Sequence, residues 1–511
     1  MRDSQRVVVN TTAQYTRTLI TTILSLYITR VVLSALGQSD YGIYTLIAGV
    51  VAMLGFITNS LVQSTQRFIS FYQGKGDKTK LKEVFNNSLI IHIVLGLIIA
   101  ILLELASPFL FDGFLNIPSE RLHAATIVYQ IVVIILFVTF VTSPYTALLI
   151  SHENIVYISI IEVADALLKV LLVVIMAHSN ADKLIFYSVI MLGFQVFKLF
   201  AMSAYCHIRY EECCFPNLKN ISLSYIKEMM SFAGWKVYGT ACMVGRDQGS
   251  SIVLNQFFGT IINAGWGIGF HISSYTNTLS TAITNALAPQ IVKAEGRGDR
   301  QHSIWLSYIL SKLVFFMMSI IGIPMMFEIT AILILWLGNP PETASTFAIM
   351  FIFALLIDSM TIGLTHINNA IGNIGKYIFI ITTPKIFTVA IAWCVIKLGL
   401  PVVCVCVVYV FIEGICSLVR VPLIRQQAGI SISLFYREVI LREILPALFC
   451  VVICYFCTHF LTFKYRFVIT FLLAALIYTP SFYYLGLSKR ERGIVNGLLY
   501  GFCQKIKNII K

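Results

Sequence analysis

Apolar runs of about twenty residues or more recur along almost the whole chain, each separated from the next by a short polar turn. A hydrocarbon core about 30 Å thick needs about 20 apolar residues to cross it as a helix. The runs predict fourteen spans, at about 11–33, 41–64, 84–106, 123–150, 154–177, 183–205, 229–256, 262–288, 303–325, 344–371, 376–396, 400–421, 442–461 and 465–486. Lys and Arg gather in alternate turns. Arg2, Arg6, Lys75, Lys78, Lys80, Lys82, Arg209, Lys227, Lys293, Arg297, Arg300, Arg425 and Arg437 fall on one side, against only Arg121, Lys183, Lys397, Lys464 and Arg466 on the other. The positive-inside rule then predicts both termini on the cytoplasmic face.

Two stretches of the chain repeat. Gly37 precedes Asp77 by forty residues (77 − 37) in LGQSDYG…GKGD, and Gly259 precedes Asp299 by forty (299 − 259) in FGTIINAG…GRGD. Both pairs share one offset, 222 residues (259 − 37 and 299 − 77). Such a repeat in a membrane chain points to two related halves, as transporters use for alternating access. Spans 1–6 map onto spans 7–12 in the same orientation, which predicts a pseudo-twofold axis along the membrane normal. The fold expected is an all-α polytopic membrane protein. A six-helix bundle over 1–218 and another over 219–430 are followed at 431–511 by two extra helices and a basic tail. In that tail Ile494, Leu498, Leu499, Phe502 and Ile506 among lysines predict an interfacial amphipathic helix.

Composition narrows the class. The chain of 511 residues is 58% hydrophobic and 12% charged, with mean hydropathy +0.84, where a soluble domain has roughly a quarter of its residues charged. The net charge of +13 sits in short turns rather than in a basic domain, so it reads as topology and not as nucleic-acid binding. Most of the twelve cysteines lie within apolar runs, and Cys454-Tyr-Phe-Cys457 reads as packing. No cleavage site follows the first apolar run, so span 1 is expected to stay as the insertion signal.

Ionisable residues within spans are costly and mark function or partners. On span 1, Asn10, Gln14, Arg17, Thr21 and Ser25 form one polar stripe at helical spacing. On span 7, Lys236, Thr240, Asp247 and Ser251 share a face, with Arg246 beside it, and Lys236 maps within one turn of Arg17. Arg17, Gln14, Lys236 and Arg246 are therefore the candidates for a cationic site that takes an anion such as a diphosphate. Asp247, Asp358 and Glu413 are the candidates for coupling to a proton or sodium ion. Glu162, Asp165 and Lys169 on span 5 are spaced for an internal pair, and Lys198, Lys312 and Lys385 stand as single cations on apolar helices. No metal-ligand spacing, cofactor motif or phosphate-binding loop is evident, so ATP is not expected to drive the protein.

The segments SLYITRVVLSALGQSDYGIY, TQRFISFYQGKGD, NQFFGTIINAGWGIG and APQIVKAEGRGD resemble those of polysaccharide-repeat-unit flippases. These belong to the multidrug/oligosaccharidyl-lipid/polysaccharide exporter superfamily. The resemblance runs over roughly residues 5–480. It implies two six-helix bundles plus two extra helices in a bacterial inner membrane. It also implies export of an undecaprenyl-diphosphate-linked glycan for O-antigen, lipopolysaccharide or capsule, with glycosyltransferases and a polymerase as pathway partners and membrane lipids around it. A multidrug antiporter or a lipid II flippase of the same superfamily is the alternative. Spans 1 and 2 lack Asp and Glu, which favours an anionic substrate over a cationic drug. A membrane enzyme would need carboxylates or arginines on a sizeable outer loop, and the outer loops are short.

Overall fold

The computed structural model describes residues 3–497 apart from 53, 112–116, 178, 180, 181, 218–220, 338 and 464. Its helices are α1 (Asp3–Ala52), α2 (Gly55–Lys75), α3 (Lys78–Phe109), α4 (Leu122–Ser151), α5 (Ile155–Ala177), α6 (Lys183–Arg209), α7 (Leu223–Gly296) and α8 (Arg300–Leu337). They continue with α9 (Glu342–Ser359), α10 (Ile362–Ile371), α11 (Gly375–Lys397), α12 (Val403–Ala428), α13 (Ile432–Phe435), α14 (Leu441–Phe460) and α15 (Arg466–Ser481). No strand occurs among the described residues, nine of whose helices are long and apolar enough to cross a membrane. The protein is an all-α polytopic membrane protein, and each of the fourteen expected spans falls on helix.

Boundaries depart from the hydrophobic pattern in two places. Within expected span 2 Leu54 forms a turn before α2 begins at Gly55, with Met53 outside the described residues, and expected span 10 divides into α9 and α10 at Met360 and Thr361. Hydropathy averages over a window and does not register a single broken turn. Of the tail, residues 489–497 are helical, while Leu498, Leu499, Phe502 and Ile506 lie outside the described residues.

The repeated glycines have a shared backbone reason. Gly37 bends α1 at φ 79°, ψ 171°, and Gly259 bends α7 at φ 78°, ψ −171°. Only glycine adopts this region without strain. The Gly-basic-Gly-Asp loops match bond for bond. Gly76 N–H donates to Gln73 O and Asp77 N–H to Tyr72 O, as Gly298 donates to Glu295 O and Asp299 to Ala294 O. Gly76 and Gly298 have φ +72° and +80°, the left-handed helix terminator. Each aspartate then caps the next helix, Asp77 accepting from Lys80 N at 3.1 Å and Asp299 from His302 N at 3.0 Å.

The chain divides into two compact units, Val9–Val237 and Tyr238 onward with the N-terminal eight residues. At one end of the first, Arg121 joins Asp40, beyond the Gly37 bend, to Asp182, the N-cap of α6, at 2.5 and 2.8 Å. Its other end gathers the terminus of α4 and the segment after α6. There His152 Nε2 meets Glu212 Oε1 at 2.5 Å, the His152 ring stacks on Tyr210, and Lys78 pairs with Glu211. Helix ends thus alternate between two faces within this unit, as the spans require. In the second unit, Trp266, Phe347, Phe351 and Tyr409 pack edge to face in a buried core.

The appended helices α14 and α15 are fastened to α8 by two ion pairs. Arg466 grips Glu328 with both arms of its guanidinium at 2.9 Å, and Thr470 donates to the same carboxylate at 2.7 Å. About four turns of α8 earlier than Glu328, Lys312 holds Glu491, beyond α15, at 2.5 and 2.6 Å.

Replacing Gly37 or Gly259 with alanine is expected to destabilise by about 1–3 kcal/mol each. No atom stands within 4 Å of the added Cβ, so the loss is conformational; melting followed by size-exclusion chromatography reads it. A second expectation concerns pH. Burial pushes the Glu212 carboxyl up, but the bond and charge of His152, with hydrogen bonds from the backbone and Gln73, together outweigh this, and its pKa lies below the ordinary value. A depressed carboxylate stabilises above its unfolded pKa and ceases to as pH falls through its folded one. Hydrogen exchange over residues 210–217 should therefore quicken as pH falls through the lower carboxylate range, and Glu212→Gln should abolish that step.

Candidate functional site

Of the expected stripe on α1, Asn10 and Gln14 are buried, Arg17 and Thr21 half-buried and Ser25 exposed. Asn10 donates to the carbonyl of Glu153 at 2.7 Å, and Thr21 returns its hydroxyl to the carbonyl of Arg17 at 2.9 Å. Gln14 Oε1 is enclosed and accepts nothing. Arg17 is paired: its Nη1 lies 2.9 Å from Glu162 Oε2 on α5. The other Glu162 oxygen meets Lys198 Nζ of α6 at 3.4 Å, so one carboxylate is shared by cations of two helices. Lys169 takes Asp165 at 2.7 Å, the internal pair that the spacing predicts, while Glu162 turns to the neighbouring helices. This group holds three cations against two acids, and the side chains of Arg17, Glu162 and Lys198 keep 19%, 29% and 26% exposure. Spans 1 and 2 carry no acid, yet α5 places one against Arg17. Sequence spacing along one helix does not reveal an acid on another.

Lys236, in the part of α7 that belongs to the first unit, meets no carboxylate among the described residues. Its ammonium stands 5.8 Å from the centre of the Phe232 ring, half-buried. The Phe232 ring is also covered by the Arg67 guanidinium at 5.4 Å.

The remaining candidates come together in the second unit, in a single chain of alternating charge. Asp247 Oδ1 accepts from Arg246 Nε at 2.9 Å, and Arg246 Nη1 donates to Glu413 Oε2 at 2.8 Å. Glu413 Oε1 accepts from Lys385 at 2.5 Å, and Lys385 lies 3.8 Å from Asp358, which accepts from Arg420 at 2.7 Å. Arg420 also donates to Thr361 at 2.7 Å, in the break between α9 and α10. Arg246, Glu413, Lys385 and Arg420 are no more than 6% exposed, while Asp358 keeps 32%. The Tyr409 ring lies 4.2 Å beneath the Arg246 guanidinium and its hydroxyl donates to Asp247 at 3.0 Å, binding the charges to the aromatic core.

Helix packing makes the chain of charges possible. A Cβ on Gly249 of α7 would stand 2.8 Å from Val389 of α11, and one on Gly239 would stand 3.0 Å from Ile378. These small positions bring α7 close to α11, the helix that carries Lys385. Three cations against three acids leave no net charge. Arg246 is thus engaged by two carboxylates and carries no free donor face like that of a bare cation. Sequence reasoning left Arg420 unremarked. Its signal was the seven-residue spacing from Glu413, two turns along one face. Among the described residues no cluster of His, Cys, Asp and Glu could hold a metal ion, and the cysteines are free thiols.

Residues 16–175 match the MatE family model. An uncharacterized membrane protein, EpsK of Bacillus subtilis (strain 168), is 21% identical over 57% of this chain, and the match spans 58% of its own length. Solved structures match far more of the chain. A MOP superfamily transporter from Pyrococcus furiosus superposes with TM-score 0.71 at 14% identity, over 85% of this chain and 96% of that one. A multidrug resistance MATE family transporter in an outward-facing conformation gives 0.69 at 14% identity, over 84% and 96%. The MATE transporter ClbM in complex with Rb+ gives 0.69 at 14% identity, over 85% and 96%. The chain thus shares its fold with these solved MOP superfamily and MATE transporters.

Glu413→Ala would strand Arg246 and Lys385 in the bundle interior. The expected loss is about 3–5 kcal/mol, against less than about 1 kcal/mol for Asp165→Asn in its more exposed pair. Adding Lys385→Met to Glu413→Ala should recover part of the loss. Melting temperatures of the purified single and double variants check both.

Proposed function

We propose that the chain is a MOP-superfamily flippase that carries a lipid-diphosphate-linked glycan, of the undecaprenyl type, from the cytoplasmic to the outer leaflet of a bacterial inner membrane. The observation that carries this reading is the contrast between the two charged groups. The group in the second unit is balanced, three cations against three acids, so it has no charge left to offer. The Arg17, Glu162 and Lys198 group is partly exposed and carries an excess of cation. A diphosphate has two charged ends for two cations, and a guanidinium meets it with a planar fork. In this reading Glu162 occupies the anion position when no substrate is present, and the diphosphate displaces it. Lys236, without a carboxylate partner, adds a further cation, and Gln14 a further polar contact. The Pyrococcus furiosus relative is described as having a binding pocket of reverse polarity that suggests a different function, a precedent for reading substrate class from the sign of the charge.

Glu162 and Asp165 also favour a second reading, ion-coupled multidrug antiport, because an acid in the first bundle suits a cationic drug. The excess of cations over acids, three to two, supports the anion. On either reading Asp247, Asp358 and Glu413 are coupling candidates already balanced by Arg246, Lys385 and Arg420. A proton or sodium ion would have to displace one of those internal cations.

Complementation of surface polysaccharide in a flippase-null host, at matched expression, tests the assignment. Arg17→Gln and Lys236→Gln should each lower complementation at least tenfold, as expected for a charged hydrogen bond of about 1.5–3 kcal/mol. Lys78→Gln, on an exposed loop, should be silent, and Arg17→Lys should retain more than Arg17→Gln. Full complementation by both Gln variants would place the diphosphate elsewhere. Export of cationic drugs by the wild type, without polysaccharide, would install the antiporter reading.

A further inference from the structure

Where α8 meets the appended helices, one acid is left over. Glu443, in the first turn of α14, is 0% exposed, and neither of its carboxylate oxygens has a hydrogen-bond partner. The cation whose charge reaches it is Lys312 of α8, itself 2% exposed and already held by both oxygens of Glu491. Arg442, next to Glu443, is paired with Glu438 at 2.9 Å. From α15 comes the hydroxyl of Tyr478, from α8 that of Ser319 and from α14 itself the thiol of Cys450, all three residues fully buried. The Tyr478 and Ser319 hydroxyls neighbour each other but neither makes a well-formed hydrogen bond, and Tyr478 feels the charge of Glu443. Four buried oxygens, two carboxylate and two hydroxyl, are thus unsatisfied in the interface of three helices.

The charges decide what completes the site. Lys312 with Glu491 and Arg442 with Glu438 cancel, so an ionised Glu443 would be one uncompensated negative charge sealed from water. An isolated buried carboxylate is among the most costly groups a protein can hold. One monovalent cation removes the cost. A metal ion would sit against the Lys312 ammonium, whereas a proton bonds to the carboxylate and supplies a donor for an idle hydroxyl. We propose that Glu443 is a proton-binding site of the appended helix pair, and that Lys312 links its proton to the seating of the C-terminal segment. With the proton on, Lys312 belongs to Glu491 alone. Glu491 in turn accepts from Ser488 N at 2.7 Å and donates its own N–H to Ser488 Oγ at 3.3 Å, the reciprocal cap that starts the terminal helix. When the proton passes to water, two carboxylates compete for one ammonium, and the hold on Glu491 weakens. The terminal helix is therefore seated at lower pH and released as pH rises.

Infrared spectroscopy of the purified protein tests the site directly. Wild type should show the carbonyl stretch of a protonated carboxylic acid, Glu443→Gln should lack it, and alkaline pH should remove it reversibly. Hydrogen exchange over residues 488–497 should quicken about tenfold with that transition, the loss of a charged hydrogen bond, and stay constant with pH in Glu443→Gln. Should that variant fail to fold, Tyr478→Phe keeps the site testable by shifting the band, because it removes a buried hydroxyl that feels the charge of the acid. A spectrum with no acid band attributable to Glu443 at any pH would overturn the proposal. So would a band that sodium or lithium chloride removes at constant pH, which would make an alkali ion the occupant. Exchange at 488–497 that ignores the transition would sever the link to the tail.

Discussion

Charge inside a membrane has to be answered by charge, and the six-residue chain from Asp247 to Arg420 is where the second bundle meets that demand. It draws on α7, α9, α11 and α12, so the helices can close only in an arrangement that keeps Arg246 and Lys385 between carboxylates and Arg420 on Asp358. Tyr409 ties the chain to the aromatic core by lying under Arg246 while donating to Asp247. The geometry resembles that of a hydrogen-bond network more than that of isolated salt bridges, because Glu413 and Asp358 are each shared by two cations. Removing any inner member strands two neighbours. Such a network is weak evidence for stability in itself but strong evidence for a specified arrangement.

The first bundle meets the same demand with a looser group. Glu162 divides itself between Arg17 and Lys198 at 2.9 and 3.4 Å, and the side chains remain partly exposed. A shared carboxylate with an unequal grip is easier to displace than one locked between buried partners. The two units thus share the backbone conformation of the bending glycines, while their charged groups differ: balanced in one, with cations in excess in the other.

The appended helices follow the same rule at their junction with α8. Arg466 answers Glu328 and Lys312 answers Glu491, each pair bridging elements far apart in sequence. Glu443 is the exception, a carboxylate without an answer, which is why it stands out as a site rather than as a strut.

Much of the architecture was legible before any coordinates. Lipid demands about twenty apolar residues per crossing, and the runs are long enough for hydropathy to place the spans, though not the break between α9 and α10. A left-handed glycine followed by a capping aspartate is a local, backbone-dictated device, so GKGD and GRGD announced both the repeat and its loop geometry. The polar stripe of α1 was equally legible, since it depends only on helical period. Partners were not. Spacing along one helix found Lys169 with Asp165, but it could not show that Glu162 faces Arg17, that Lys385 and Arg420 neutralise Glu413 and Asp358, or that Glu443 has no partner. Those outcomes depend on how helices separated by tens to hundreds of residues approach and rotate. Small residues such as Gly249 and Gly239 set that approach through three-dimensional packing. Composition and period determined the elements and their caps; only the packing of helix on helix decided which buried charges are balanced, which are shared and which one is left alone.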